Sequence, residues 1–450
     1  MTEDLTTGSV WKTLIRFSVP FLLSYFLQTL YGMADLYIIG RFYGTESTTA
    51  VSVGSQVMHM ITVMIVGLAM GTVVTVGQAT GSGNRLRVSK AVGNTATLFL
   101  SLSLLLTAVL LFMVRPIVWL VSTPEAAAAE TKSYLTICFL GIPFITAYNI
   151  AASVFRGLGD SRRPLYFVGA ACLSNIALDY LFIGGLRLGA AGAALGTVFS
   201  QAFSVLVSLL YIRSGKNRLC LCRSDFRPSG AVMREILKIG IPVALQDGFI
   251  QVGFLLITVF ANQRGLEDAA AVGIVEKLIC ILFLVPSALL QSVSALAAVN
   301  LGARKPERAR LVLRYSCILA VVWGLAVALL MHLGGETVLG WFSESRQVVR
   351  LGCQYLRGYV WDCLFAGIHF SCSGYFCACG VSMLSFLHNA LSIVCVRIPW
   401  SYYAARMFPD TLFPMGLASP AGSALSVLIC VLADLWLRHR QPRTETEHCS

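Results

Sequence analysis

Two halves of this chain carry the same pattern. Leu14-Ile15-Arg16-Phe17-Ser18-Val19-Pro20 returns as Ile236-Leu237-Lys238-Ile239-Gly240-Ile241-Pro242, a shift of 222 positions. Gly44-Thr45-Glu46 is echoed by Gly265-Leu266-Glu267, and Ala50-Val51 by Ala271-Val272. Gly81 returns as Gly302, and Tyr134-Leu135 as Tyr355-Leu356, now at a shift of 221. An offset that holds over such a distance implies two copies of one architectural unit, at about 15–212 and 237–437.

The residues are 56% hydrophobic and 12% charged, where soluble domains carry about 25% charged residues. Apolar runs recur, such as Ala96 to Val114, Leu135 to Phe155, Ala190 to Ile212, Cys280 to Leu301 and Gly416 to Leu437. Each reaches the roughly 20 residues that a helix needs to cross hydrocarbon, and about twelve such segments are expected, six in each copy. They fall near 17–40, 49–79, 91–114, 131–155, 165–186 and 189–212, then near 236–261, 271–300, 311–332, 351–378, 385–406 and 416–437. Membrane barrels read instead as short alternating segments. The expected class is therefore an all-α membrane protein. Its first lobe is 1–213, a cytoplasmic linker follows at 214–235, and a second lobe with a short cytoplasmic tail is 236–450. Glu3 and Asp4 precede the first run and no small-residue cleavage site follows it, so it is read as a retained span. A doubled apolar chain is the pattern of many secondary transporters, whose substrate path lies between the repeats.

The net charge of +12 invites a nucleic-acid reading, but its distribution opposes one. Basic residues gather in alternate loops: Arg85, Arg87 and Lys90; Arg162 and Arg163; Lys216, Arg218, Arg223, Arg227 and Arg234; Arg304, Lys305, Arg308 and Arg310; Arg438, Arg440 and Arg443. The intervening loops hold Glu46, Glu125, Glu130, Glu267, Asp268, Glu344 and Asp410. This is the positive-inside bias, and it places both termini in the cytoplasm of a multi-pass cell-membrane protein. The fourteen cysteines lie mostly in apolar runs and read as small hydrophobes, without a disulfide framework. Neither cofactor nor structural metal is expected: Cys220-Leu-Cys222 and Cys377-Ala-Cys379 are spaced too closely for a zinc site, and His369 near Cys372 adds little. No G-x-x-x-x-G-K-[ST] loop occurs, which argues against direct ATP hydrolysis. Pro20 and Pro242 read either as helix starts or as matched kinks in the first helix of each copy.

Several motifs resemble one family in order and spacing over almost the whole chain. Phe155-Arg-Gly-Leu-Gly-Asp-Ser-Arg-Arg-Pro-Leu-Tyr-Phe167, Asn175-Ile-Ala-Leu-Asp179-Tyr-Leu-Phe-Ile183 and Gly189-Ala-Ala-Gly192-Ala-Ala-Leu-Gly-Thr197-Val-Phe-Ser-Gln201 are similar to the MATE (multidrug and toxic compound extrusion) transporters. Asp35-Leu-Tyr-Ile-Ile-Gly40 resembles the family's first-helix D-x-x-x-x-G pattern, and Arg397-Ile-Pro399 its eleventh-helix motif. The resemblance implies twelve helices in two six-helix lobes around a V-shaped cleft. It also implies cation-coupled antiport of bulky amphipathic compounds, often cationic.

Ionisable residues at membrane depth are costly and therefore functional candidates. The acids within expected spans are Asp35, Asp179, Asp247, Glu276, Asp362 and Asp434. Asn175 and Asp179, four apart, share a helix face. The resemblance joins Asp35, Asn175, Asp179 and Thr197 into a first-lobe cation-coupling cluster. Two neighbouring carboxylates in low dielectric cannot both stay charged cheaply. Such a pair takes up H⁺, the favoured coupling ion, or binds Na⁺ at Asp35 and Asp179 with help from the Asn and Thr oxygens. The second lobe departs from members that carry a Glu in the seventh helix and an Asp in the tenth, having Gln251 and Ala366 there. Asp247 and Asp362, with Gln251, Tyr37 and Met64, are candidates to line the substrate cleft and attract cations. Arg156 and Arg397 are read as interface anchors that snorkel, and adjacent Glu276 and Lys277 are expected to have separate partners.

The sequence therefore favours a monomeric antiporter exporting cationic or amphipathic small molecules, in contact with membrane lipids. A lipid-linked oligosaccharide flippase of the same superfamily is a second reading, though the mid-span charges here are mainly acidic. An integral membrane enzyme is a third, and the six histidines show no catalytic spacing.

Overall fold

A computed structural model describes residues 5–213 and 221–440. The first part of the expected linker, 214–220, and both chain ends lie outside the described residues. Every regular element among the described residues is helical. The first copy comprises α1 (Val10–Phe42), α2 (Thr45–Gly81), α3 (Arg85–Leu120), α4 (Glu125–Leu140), α5 (Ile142–Gly157), α6 (Arg162–Asp179) and α7 (Gly189–Arg213). Between α6 and α7 the chain runs through a π-helical turn, Tyr180–Gly185. After a 3-10 turn at Arg223–Phe226, the second copy comprises α8 (Gly230–Asn262), α9 (Leu266–Leu282), α10 (Leu284–Gly302), α11 (Pro306–Gly340), α12 (Arg346–Tyr359) and α13 (Asp362–Ala378). It continues through α14 (Ser382–Ser392), a π turn at Ile393–Arg397, α15 (Ile398–Met407), α16 (Phe413–Gly416) and α17 (Ala418–Arg440).

The repeat is visible element by element. Glu125 opens α4 and Arg346 opens α12, 221 positions apart. The fifth span of each copy carries a π turn, with Asp179 just before the first and Arg397 at the end of the second. Such turns insert a residue into the helical ladder and often mark functional sites. Pro20 and Pro242 both lie well inside 33-residue helices, so neither is a helix start.

Among the described residues ten helices are long and apolar enough to cross a bilayer, and the α4–α5 pair, bent by 51°, makes an eleventh if counted as one span. The remaining expected span, 351–378, is divided between α12 and α13. Arg346, Arg350 and Arg357 populate α12, and the chain breaks before the buried Asp362. Side chains such as Phe112, Leu104, Leu105, Leu329, Leu330 and Leu432 are exposed, which suits a hydrocarbon solvent. Trp119 and Trp341, 222 positions apart, are also exposed near the ends of α3 and α11, as in the aromatic belts of membrane interfaces.

The chain divides into two compact units. One holds the residues up to Gly248 with Ser287–Ser316 and Gly374–Ser382; the other holds Phe249–Pro286, Cys317–Ser373 and the residues from Met383 onward. Small residues set the packing of the first unit. A Cβ on Gly71 would fall onto the Ile236 carbonyl, and one on Gly240 onto that of Leu68. Gly81 and Gly302 make the same reciprocal approach between α2 and α10, against the Val299 and Gln78 carbonyls. Close backbone approach through small residues is how membrane helices gain packing where lipid offers no hydrophobic drive. The core of the second unit includes Ile257, Val272, Val275, Tyr355, Tyr359 and Met415.

Candidate functional site

In the first unit α1 supplies Asp35, α6 supplies Asn175 and Asp179, and α7 supplies Thr197. The first three are buried. Asp35 interacts with Asp179, Asn175 and Thr197. Yet Oδ1 of Asp35, both Asp179 oxygens, both Asn175 amide atoms and the Thr197 hydroxyl complete no well-aligned hydrogen bond among the described residues. No basic side chain pairs with either carboxylate among the described residues. The small residues of α7 bring its backbone close: Ala190, Ala193 and Ala194 are fully buried, and a Cβ on Gly196 would overlap Oδ1 of Asp179. Tyr31, Tyr134, Cys138 and Cys172 lie within electrostatic reach of Asp35, and the Tyr134 ring packs where a Cβ on Gly54 would lie. These flanking residues escape sequence reasoning because tyrosine, cysteine and glycine in apolar runs read as ordinary core.

The chemistry of this cluster is that of a hard cation or proton. It offers two carboxylates, an amide oxygen and a hydroxyl, all oxygen donors, with buried atoms left unsatisfied among the described residues. Oxygen-only donor sets suit alkali and alkaline-earth cations over soft metals. A buried pair of acids without a basic partner requires a proton or a cation to be stable.

The other candidates separate. Met64 and Asp247 lie in the first unit: Met64 packs 3.8 Å from a Cβ position on Gly248, and Oδ2 of Asp247 lies 2.7 Å from one on Gly67. Tyr37 is largely exposed, and Gln251 is half-buried in the second unit. Asp362 is no cleft acid. It is fully buried, and Nη2 of Arg397 lies 3.3 and 3.2 Å from its two oxygens. The same Nη2 donates to Ser423 Oγ at 2.7 Å. Arg397 therefore does not snorkel: the π turn turns it inward, onto the acid that begins α13. From Ser423 the polar chain continues to His369 Nε2 at 3.4 Å, and the His369 and His388 rings are 5.4 Å apart. His388 Nε2 in turn meets Ser373 Oγ at 2.9 Å. Glu276 has its own partner, accepting from Thr258 Oγ1 at 3.1 Å. Arg156 also fails to snorkel. It is 6% exposed, and its guanidinium carbon sits 5.0 Å from the centre of the Phe21 ring.

The MatE family model matches residues 20–181 and 242–403, one match in each repeat. The chain is 30% identical over 436 residues to a probable multidrug resistance protein, YpnP, of Bacillus subtilis, covering 97% of this chain and 96% of that protein. It is 26% identical over 379 residues to the multidrug export protein MepA of Staphylococcus haemolyticus, covering 83% and 82%. A solved MOP-superfamily transporter from Pyrococcus furiosus shares the fold with a TM-score of 0.87 and 21% identity, over 97% of each chain.

Proposed function

The chain belongs to the MATE family of membrane transporters, and we propose that it is a secondary active antiporter that exports amphipathic small molecules, many of them cationic, in exchange for H⁺ or Na⁺. The reading places it in the cell membrane with both termini in the cytoplasm. One observation carries the coupling: Asp35 and Asp179 share a buried cluster with Asn175 and Thr197 and have no basic partner among the described residues. Binding a cation there neutralises charge between α1, α6 and α7. Because the ion binds the two arrangements of these helices unequally, it shifts the equilibrium between them. H⁺ is favoured, with Na⁺ served by the same oxygens.

The test is export of a fluorescent aromatic cation from proteoliposomes under an imposed pH gradient, a Na⁺ gradient, or neither. Export that accelerates under one of the gradients supports antiport. A rate that is the same under all three conditions would overturn it.

A further inference from the structure

The segment ahead of each copy's first helix is held by the third helix of the other copy. Residues 5–8 precede α1, and all four of their carbonyls accept hydrogen bonds from the corner where α10 turns into α11. Arg308 donates from Nε to Leu5 at 3.3 Å, from Nη2 to Thr7 at 2.6 Å and from Nη1 to Gly8 at 2.7 Å, and Lys305 Nζ donates to Thr6 at 2.8 Å. Further along α11, Tyr315 meets Trp11 of α1 edge to face, with 5.6 Å between ring centres. Crosswise, the residues before α8 lie on α3. Thr97 Oγ1 donates to the Phe226 carbonyl at 2.8 Å, while Asn94 donates to the Asp225 carbonyl at 3.2 Å and accepts from the Ser229 amide at 2.6 Å. Arg87, which matches Arg308 at a shift of 221, pairs with Glu235 of α8 at 3.1 Å. All of these residues belong to the first unit.

The two straps differ in how firmly they are seated. Asn94 and Asp225 are buried, and a Cβ on Gly93 would fall onto the Asp225 carbonyl. Around residues 5–8, by contrast, Lys305, Thr7 and Gly8 are exposed, so water can replace each hydrogen bond as it breaks. The one apolar anchor of this strap is Leu5, which is buried and lies 2.7 Å from a Cβ position on Gly159. Gly159 sits in the turn between α5 and α6, so the strap ties that turn of the first copy to the α10–α11 corner of the second. Gly81 and Gly302, which bring α2 and α10 together, lie at the same end of these helices. Parting the two copies at this end requires the strap to leave one of them. A contact made in only one of two arrangements biases the equilibrium toward that arrangement.

We propose that residues 5–8 form a releasable latch: seated on Lys305 and Arg308 they hold the cytoplasmic ends of the two copies together, and their release lets that face open to take up substrate. The proposal rests on the transport reading, in which one repeat moves against the other, and adds the contact that gates entry. The buried linker strap lacks the water access that would let it part and reseat in each cycle.

The test is a distance measurement by double electron–electron resonance, in nanodiscs without substrate or gradient. Spin labels go on cysteines replacing the exposed Arg162 of the first copy and the exposed Glu307 of the second, in an otherwise cysteine-free protein. Arg308→Gln should raise the ratio of the longer to the shorter distance about ten-fold, the range of a few water-exposed charge-assisted contacts. Leu5→Ala should shift it in the same direction. Combining the two should add little beyond the larger effect, because both release one strap. Arg308→Lys, which keeps the charge without the fork, should shift the ratio less than the glutamine variant, and with Leu5→Ala it keeps the comparison open if Arg308→Gln misfolds. Arg314→Gln, at an exposed position further along α11, should leave the wild-type distribution. Wild-type distances in both Arg308→Gln and Leu5→Ala, or an equal shift in Arg314→Gln, would overturn the latch. The expected shift in a protein that shows no gradient-driven export would keep the latch and defeat the antiport reading instead.

Discussion

Removing either partner of the Asp362–Arg397 pair should destabilise the protein strongly, and removing both should not. Asp362 has no exposed surface, and Nη2 of Arg397 bridges its two oxygens at 3.2 and 3.3 Å while donating to Ser423 at 2.7 Å. Nε of Arg397 already lacks a partner among the described residues. Asp362→Leu leaves the guanidinium with Ser423 alone, and Arg397→Met leaves a buried carboxylate without a counter-charge. Deleting one member of a buried pair costs about 3–5 kcal/mol, whereas exchanging both for apolar side chains of similar volume is about neutral. Each single variant should therefore lose about 3–5 kcal/mol and the double variant about 1 kcal/mol or less, a coupling of several kcal/mol where an exposed pair would show at most about 1. The assay is reversible unfolding in mild detergent, followed by tryptophan fluorescence. A double variant that loses the sum of the two single losses would refute the reasoning, because the groups would then not be compensating each other.

Three further outcomes follow from the packing and the charge distribution. Gly196→Ala places a methyl group on Oδ1 of Asp179; overpacking of this kind costs about 1–3 kcal/mol, and a misplaced carboxylate should slow gradient-driven export about ten-fold. Gly302→Val should reduce detergent stability, measured by thermal unfolding, more than Gly340→Val, since a Cβ at Gly302 meets the Gln78 carbonyl and one at Gly340 meets nothing. With the exposed Cys222 retained as the single cysteine, impermeant thiol reagents should label it only after cells are permeabilised; labelling from outside would contradict the cytoplasmic linker.

Much of the fold is legible because lipid imposes a simple rule on composition. Long apolar runs and a fixed offset give the helices and the repeat without any knowledge of contacts. The four-residue spacing of Asn175 and Asp179 puts both on one face, so half of the carboxylate cluster can be read from helical geometry. Asp35 and Thr197 join through the family resemblance, since no local spacing links α1 or α7 to α6. Charges whose partners are distant in sequence are harder to read. Arg397 meets Asp362 across 35 positions and Ser423 across 26, and a lone arginine near a span end is indistinguishable from a snorkelling one until its neighbours are known. The same holds for Arg156, which stacks on Phe21 of another helix. The π turns at Tyr180–Gly185 and Ile393–Arg397 leave no signature, because each depends on how the neighbouring helices hold the ladder. The division of 351–378 is legible only in hindsight, from the arginines of α12.

The two carboxylates of the first unit are the proposed site where the driving cation binds. Asparagine at either position keeps the shape and removes the titratable charge, so it tests charge and leaves packing intact. The deciding measurement is substrate export by purified wild type, Asp35→Asn and Asp179→Asn in proteoliposomes, each under a pH gradient, a Na⁺ gradient and none, with folding checked by size exclusion. Both variants should remain folded and show the same slow export under every condition, while wild type responds to one gradient. A gradient response of wild-type size in both Asp35→Asn and Asp179→Asn would contradict the account.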